Sequence, residues 1–147
     1  MADELAKLGK DYADKAIGIV AIQSNNVEEY PDDSPEKMKL ESSNRGYEFP
    51  YVSDPTQKVA LAFTAACTPD FFLFDADHKL VYRGRLDETR PTRISSGVYD
   101  STGNEANGEE LRAAIEATLA GDSPSEKQLP SMGCNIKWKP GNEPDYF

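Results

Sequence analysis

Residues 67–86 read CTPDFFLFDADHKLVYRGRL, and they carry the strongest local indication of the fold. The aromatic run Asp70–Asp75 and the alternating run Lys79–Leu86 each predict a β-strand. Residues 76–78, Ala-Asp-His, are few enough to form a tight turn between the two runs. A β-hairpin is therefore predicted at the centre of the chain.

Helical and extended patterns alternate on the N-terminal side of this hairpin. Apolar residues at spacings of three and four predict a helix over residues 3–15, and the β-branched run Ile17–Gln23 predicts a strand buried on both faces. Ser34 is placed to cap a second helix, with Pro35 in its first turn and Gly46 at its end. This alternation is typical of a parallel sheet covered by helices.

A short extended stretch and a third helix are predicted directly before the hairpin. Residues 47–53 are interpreted as extended. Asp54 is placed to cap the third helix, and Gln57, three residues later, is placed to complete a capping box. We expect this helix to end at about Ala65 or Ala66.

The C-terminal side of the hairpin holds one further helix between two irregular segments. Asp87–Asn107 is polar and rich in Ser, Gly and Thr, which predicts a long functional or mobile loop. Gly108–Ala120 carries apolar residues on one face and predicts a helix that Gly121 stops. Residues 122–147 form a Pro-containing tail, in which Trp138 is expected to bury its ring against the domain.

The composition excludes several classes of function. Lys plus Arg is 16 and Asp plus Glu is 26, so the net charge is −10, which argues against nucleic acid and against an anionic membrane surface as partners. No apolar run approaches the ~18 residues of a membrane span, and residues 1–10 lack the pattern of a signal peptide. Two cysteines cannot form a disulfide framework, and with one histidine they are too few for a closed zinc site. No metal site is predicted.

The order of elements predicts an α/β fold. We expect one mixed sheet that ends in an antiparallel C-terminal β-hairpin, with helices on both of its faces. The domain is predicted to span residues 1–121, with residues 122–147 as a tail packed on it.

The segment Cys67–Asp75 leads from a helix through Thr-Pro into an aromatic strand that ends in Asp, and it resembles the thioredoxin-like superfamily. It is similar in particular to the redoxin or AhpC/TSA-type proteins of bacteria, as are residues 82–84 (Tyr-Arg-Gly) and the tail Gly133–Lys139. The resemblance implies a thioredoxin-like fold and a cytoplasmic thiol–disulfide oxidoreductase or peroxiredoxin-like antioxidant protein. The implied partners are a protein disulfide, a small thiol or a peroxide, with no cofactor, and a homodimer is one expected assembly.

The cysteines depart from the pattern of this family. A Cys-X-X-Cys or a peroxidatic cysteine normally begins the first core helix, where the helix dipole stabilises a thiolate. Neither Cys67 nor Cys134 begins a predicted helix, and the chain starts with what resembles the later part of that first helix. The fold is therefore expected to be N-terminally incomplete, without the central strand between Ile17–Gln23 and Asp70–Asp75. Alternatively, the two strand edges close on each other, or a second copy fills the gap.

Four residues are predicted to form the remaining redox site. The resemblance assigns Thr68 and Pro69 to a substrate-binding loop, in which the proline bond is cis and the Thr68 backbone offers an extended edge. Cys67 is the first candidate for a catalytic thiol and Cys134 the second. The alternative for Cys67 is a small residue packed at a helix end. A disulfide between the two cysteines would need their Cα atoms to lie within about 7 Å.

Three other polar residues in the hairpin are interpreted as structural. Arg83 and Arg85 share one face of the second strand, where they would suit an anion or a thiolate. Pairing with the nearby Asp87 and Glu88 is the expected arrangement. His78, in the turn, is expected to be solvated rather than to act as a general base.

Different classes of function therefore remain open. The family favours an enzyme, although its usual redox-centre cysteines are absent from this chain. The alternative is a redox-inactive thioredoxin-like scaffold that holds a partner peptide or protein at the edge formed by Thr68 and Pro69. A metal-delivering protein is a third alternative, for which two Cys, three Met and one His supply few ligands.

Overall fold

Helices and short strands alternate along the chain. The computed structural model describes residues 1–89, 92–95, 98–100 and 105–146, and at 92, 93, 98 and 99 it describes the backbone only. The described elements are α1 (Ala2–Tyr12), β1 (Ala21–Gln23), α2 (Pro35–Arg45), β2 (Tyr51–Ser53), α3 (Lys58–Ala62), β3 (Cys67–Thr68), β4 (Phe71–Phe74), β5 (Leu80–Gly84), β6 (Thr92–Ser95), β7 (Val98–Asp100), α4 (Glu109–Leu119) and β8 (Cys134–Asn135).

The chain divides into two compact units, each built from two segments. The hairpin unit comprises residues 1–4 and 69–132, and the anchor unit comprises residues 5–68 and 133–147. The predicted division at residue 121 stays a prediction. Among the described residues the strands pair in four two-stranded ladders, one parallel and three antiparallel, which gives the mixed α/β character that the sequence predicts.

The central hairpin of the hairpin unit is confirmed. β4 pairs antiparallel with β5, with Leu73 opposite Tyr82. The carboxylate of Asp75 accepts the N–H groups of Asp77 and Lys79, each at 2.9 Å, which closes the turn. His78 has φ 60° in this turn, as the compact geometry requires.

Helix α4 supplies the other half of this core, as its apolar spacing predicts. It packs against β4 and β5. The side chains of Leu111, Ala114 and Ile115 are buried, and they give the unit a small apolar centre with Leu73 and Tyr82. Burial, more than the neighbouring charges, raises the pKa of Tyr82 to about 12, and its hydroxyl donates to the carbonyl of Arg85 at 2.6 Å.

The prediction of one long loop over residues 87–107 is wrong in part. The backbones of β6 and β7 pair antiparallel within this segment. Thr92, Ile94 and Val98 are β-branched, a strand signal that the surrounding Ser and Gly residues obscure. Residues 90–91, 96–97 and 101–104 of the predicted loop lie outside the described residues.

Helix α2 and most of helix α1 lie in the anchor unit, and α1 ends at Tyr12, three residues before its predicted end. Gly46 ends α2 in a left-handed conformation, with φ 69°, which glycine adopts without a steric penalty. Gly9 in α1 allows a close approach, because a Cβ there would lie 2.7 Å from the ring of Phe49. Ser34 stands at the N-cap of α2, but its side chain makes no capping bond to the described backbone.

The prediction that residues 17–23 form a strand buried on both faces is wrong. Only β1 is extended and paired, and its partner is the parallel strand β2. Val20 is 55% exposed, Ile22 is 38% exposed and Val52, opposite Ile22, is 43% exposed. The strand is short and uncovered on this face because β2 is the one strand that pairs with it among the described residues.

Helix α3 begins four residues after its predicted capping residue. The side chain of Asp54 nevertheless performs the capping, since its Oδ2 accepts the N–H groups of Val59 (3.1 Å) and Ala60 (3.0 Å). The hydroxyl of Ser24 donates to the same oxygen at 3.1 Å. Gln57 does not complete a capping box, because its side chain is used elsewhere.

Candidate functional site

The two cysteines lie on paired strands of the anchor unit, although 66 residues separate them in the sequence. β3 and β8 form an antiparallel ladder in which Cys67 is opposite Asn135 and Thr68 is opposite Cys134. Cys67 is half-buried and Cys134 is exposed, and no disulfide joins them. The sequence alone gives no reason to expect this pairing, because β8 is too short to carry a strand pattern.

The register of this ladder places the two thiols on opposite faces. Side chains alternate between the faces of a strand, and directly opposite residues share a face. Cys134 therefore shares a face with Thr68, whereas Cys67 shares the other face with Asn135. A disulfide needs Cβ atoms about 4 Å apart and facing each other, so this register does not allow one.

The strand β8 occupies the backbone edge that the sequence assigns to substrate. Thr68 is exposed, and its hydroxyl donates to the carbonyl of Cys134 at 3.3 Å. The chain's own tail thus takes the position of an added strand on β3. Pro69, the other predicted substrate-binding residue, is half-buried and is counted in the hairpin unit.

Gln57 is the residue of this region that sequence reasoning misses. Its side chain is 0% exposed, and its backbone has φ 60°. The amide Nε2 donates to the carbonyls of Ser24 (2.7 Å) and Lys137 (2.9 Å), and Oε1 accepts the N–H of Lys139 (2.8 Å) and the Nδ2 of Asn142 (3.0 Å). Both donors and both acceptor positions of the amide are therefore used, far from water.

Two asparagines complete the attachment of the tail. The N–H of Lys137 donates to Oδ1 of Asn25 at 2.9 Å, and the N–H of Asn26 donates to the carbonyl of Lys137 at 2.8 Å. Asn26 is 2% exposed. We call this group the tail anchor, and its members are Gln57, Asn25 and Asn26 with the tail residues Lys137 and Lys139.

No sequence signal identifies the tail anchor in advance. The hydrogen-bond partners of Gln57 lie up to 85 positions away in the sequence, and a lone glutamine after a proline–threonine pair fits a capping box equally well. Trp138, within the anchored segment, is half-buried, and its Nε1 is buried with no acceptor among the described atoms.

The predicted pairing of the hairpin arginines is wrong. Arg83 pairs with Asp70 at 3.4 Å and lies over the ring of Phe72, 5.0 Å from its centroid. Arg85 pairs with Glu110 through both carboxylate oxygens, and this raises the pKa of Arg85. Sequence proximity suggested Asp87 and Glu88, but the strand pairing and α4 bring other carboxylates closer.

An open groove of about 520 Å³ runs along α2 and β2, and it contains neither cysteine. Met38, Tyr47 and Tyr51 are among its lining residues. Burial, followed by the charges of Glu41 and Asp33, raises the pKa of Tyr51 to about 12, so its hydroxyl stays protonated at neutral pH. Because its lining includes neither thiol, the groove is separate from the candidate redox site.

Neither a membrane-spanning helix nor a cluster of metal-ligating side chains occurs in the part of the chain that the structure describes. No helix there is long and apolar enough to cross a bilayer. No three His, Cys, Asp or Glu side chains in the same ranges come together as metal ligands.

Two solved structures are similar to this chain over most of its length. The family model described as Redoxin matches residues 1–100. A crystal structure of an uncharacterized conserved protein from Geobacillus kaustophilus is 50% identical, with a TM-score of 0.85 over 95% of this chain and 69% of that one. A crystal structure of a hypothetical protein from Sinorhizobium meliloti is 42% identical, with a TM-score of 0.86 over 95% of this chain and 72% of that one. No curated protein matches this chain significantly.

Proposed function

Since the chain belongs to the Redoxin family, we propose that it is a thiol-dependent oxidoreductase in which Cys134 and Cys67 carry the chemistry. The observation that supports this proposal is the β3–β8 ladder, which brings the two cysteines of the chain onto paired strands. Cys134 is exposed and meets the substrate first, and the half-buried Cys67 acts second.

The proposed reaction is thiol–disulfide exchange. The Cys134 thiolate attacks one sulfur of a substrate disulfide, which forms a mixed disulfide and releases one substrate thiolate. The Cys67 thiolate then attacks Sγ of Cys134, which forms the Cys67–Cys134 disulfide and releases the second substrate thiolate. With a peroxide, Cys134 would instead become a sulfenic acid, and Cys67 would displace water from it. An external thiol reductant returns both cysteines to thiols.

Thr68 and Pro69 are the proposed substrate contacts in this reaction. Thr68 is exposed and lies directly opposite Cys134, so a peptide disulfide that engages Cys134 would lie beside the Thr68 side chain. A protein disulfide, a small thiol or a peroxide is the proposed partner, with no cofactor. A cytoplasmic location, in which reduced thiols persist, belongs to the same proposal.

The test is the rate at which each thiol reacts with an aromatic disulfide reagent at pH 7.5. We expect Cys134, measured in Cys67→Ser, to react faster than Cys67, measured in Cys134→Ser. The matched control is a protein with both cysteines replaced by serine and one cysteine placed at the exposed tail position Asp122→Cys. The proposal is overturned if neither native thiol reacts faster than this ordinary exposed thiol.

A second function is favoured by the same ladder. β8 already pairs with β3 as an added antiparallel strand, and the Thr68 hydroxyl donates to its carbonyl, so this edge has the chemistry of a peptide-binding scaffold. In this alternative the protein binds a partner peptide without redox chemistry. Peptide binding that survives in the protein with both cysteines replaced, together with unreactive native thiols, would select the scaffold over the oxidoreductase.

A further inference from the structure

The ladder between β3 and β8 is too short to fix its own register. It contains two residue pairs, and three of its four residues, Thr68, Cys134 and Asn135, are exposed. Short polar strands without a buried face specify register weakly. The register must therefore be set by what holds the neighbouring residues of the tail.

The tail anchor holds those neighbouring residues. Ile136, 6% exposed, is the one residue between the ladder and Lys137, whose N–H and carbonyl are both bonded. Gln57 binds the tail at Lys137 and again at Lys139, and it leaves no polar atom of its amide unused. A shift of β8 along β3 would break these buried bonds, and each unmet buried group is costly.

A shift of one residue would change which side chains meet. Cys134 would move from its place opposite Thr68 to a place opposite Cys67, and Asn135 and the anchored residues after it would move along with it. Directly opposite residues have Cβ atoms about 4.5–5.5 Å apart, close enough for a disulfide after a small adjustment. The two registers therefore differ in whether the thiols can join.

We propose that Gln57 is a positioning residue that fixes the register of β8 and thereby keeps Cys134 and Cys67 on opposite faces until the tail shifts by one residue. This inference rests on the proposed function, because it concerns the second step of the same exchange reaction. Oxidation traps the shifted register as a disulfide, and reduction allows the tail anchor to restore the first register. Gln57 thus controls how fast the internal disulfide forms, without contact with the reacting sulfurs.

The experiment uses the full chain with glutathione disulfide as the oxidant. Cys134 first forms a mixed disulfide and releases one glutathione, and Cys67 then displaces the second glutathione, so two protein thiols are oxidised and one glutathione disulfide is reduced. Mass spectrometry after acid quenching separates the mixed disulfide from the internal disulfide. The measured quantity is the rate of conversion from the first species to the second.

The informative variant is Gln57→Glu. An ionised carboxylate cannot donate to the carbonyls of Ser24 and Lys137, so at pH 7.5 we expect internal disulfide formation at least tenfold faster than in the wild type. A protonated carboxyl can donate one of these bonds and accept from Lys139. The ratio of variant to wild-type rate should therefore fall towards one as the pH decreases through the pKa of the introduced carboxyl group, which burial raises above its usual ~4.3.

The charged groups around position 57 are the same in the wild type and in Gln57→Glu. The ratio of their rates therefore reports only the change at that position. Lys137 lies over the ring of Tyr30, with Nζ 5.6 Å from its centroid, and Lys139 pairs with Glu28 at 3.2 Å. The buried carboxylate nearest in sequence is Asp54, which caps α3.

The matched control is Gln128→Glu. Gln128 also bridges backbone groups through its amide, and its partners Val81 and Arg83 lie with it in the hairpin unit. We expect its rate of internal disulfide formation to equal that of the wild type. An equal acceleration in both variants would show that any destabilisation of the fold speeds the reaction, and it would overturn the assignment to Gln57.

Two other outcomes separate this inference from the proposed function. Normal mixed disulfides with no acceleration in Gln57→Glu would overturn the inference and leave the thiol chemistry standing. No mixed disulfide on either cysteine in any variant would overturn both. If Gln57→Glu does not fold, Asn25→Ala removes one bond to Lys137, and we expect a two- to threefold acceleration; an unchanged rate in Asn25→Ala would overturn the inference.

Discussion

Gln57 and Gln128 perform the same hydrogen-bonding task in two different environments. Gln57, in the anchor unit, is 0% exposed and bonds four groups. Gln128, in the hairpin unit, is half-buried; its Nε2 donates to the carbonyl of Val81 at 2.9 Å, and its Oε1 accepts the N–H of Arg83 at 2.9 Å. Gln128 bonds backbone groups of β5, whereas Gln57 bonds the carbonyl of Ser24 and three groups of the distant tail.

We expect burial, more than the number of hydrogen bonds, to set how much each amide contributes to the free energy of unfolding. When a buried amide is removed, its former partners cannot reach water and lose the full value of the bond. When a half-buried amide is removed, water takes its place at modest cost.

Each unit also contains a buried aspartate that accepts backbone N–H groups. This residue is Asp54 in the anchor unit and Asp87 in the hairpin unit.

The largest effect is expected from Gln57→Met, which keeps the length of the side chain and removes its hydrogen bonds. Several buried polar groups would lose a partner at once, so we expect the free energy of unfolding to fall by about 3–5 kcal/mol. Urea unfolding followed by circular dichroism measures this change. A fall in the free energy of unfolding of less than about 1 kcal/mol would contradict this expectation, because substitutions of surface residues have effects of that size.

A smaller, pH-dependent effect is expected from Asp87→Asn. Burial raises the pKa of Asp87, but hydrogen bonds from the Thr89 hydroxyl and from the N–H groups of Gly108, Thr89 and Asn107 outweigh it, so the pKa is lowered. A lowered pKa stabilises the folded protein above the unfolded-state pKa of about 3.9, and this contribution is lost as the pH falls through the folded-state value.

We therefore expect Asp87→Asn to lower the free energy of unfolding by about 1–2 kcal/mol at pH 7, with the difference shrinking below about pH 4. Urea unfolding of both proteins at a series of pH values gives the comparison. A difference that stays constant from pH 7 to pH 3 would mean that the carboxylate charge plays no part.

The smallest effect is expected from Gln128→Met. Its bonds to Val81 and Arg83 lie at a half-buried position, where water can replace the amide. We expect a loss of about 1 kcal/mol or less in the free energy of unfolding. A loss equal to that of Gln57→Met in the same urea experiment would remove the distinction between the two sites.

The elements that could be predicted are those whose signals are local. The hairpin of β4 and β5 follows from alternation on either side of a turn, α2 ends at Gly46, and α4 follows from its apolar face. The family resemblance through residues 67–75 rests on the same contiguous stretch. These predictions succeed because the residues that cause each element lie within that element.

The predictions that fail concern burial and ion pairing, which depend on residues outside the element itself. Ile17–Gln23 has the composition of a buried strand, but burial depends on neighbours that the segment does not contain, and Ile22 is exposed. Arg83, in β5, pairs with Asp70, and Arg85, which follows β5, pairs with Glu110. Neither carboxylate is the nearest one in sequence.

The sequence by itself determined the α/β character, the central hairpin and the ends of α2 and α4, because short-range periodicity and capping cause them. The motif residues from Cys67 to Asp75 carried the Redoxin resemblance. It also supplied the two thiols and the Thr68 edge as candidates. Only the tertiary structure decided that the strands of Cys67 and Cys134 pair, that the two side chains lie on opposite faces, and that Gln57 bonds the tail at Lys137. The bonds from Gln57 to the tail join residues 80 to 85 positions apart, and no local pattern encodes such a bond.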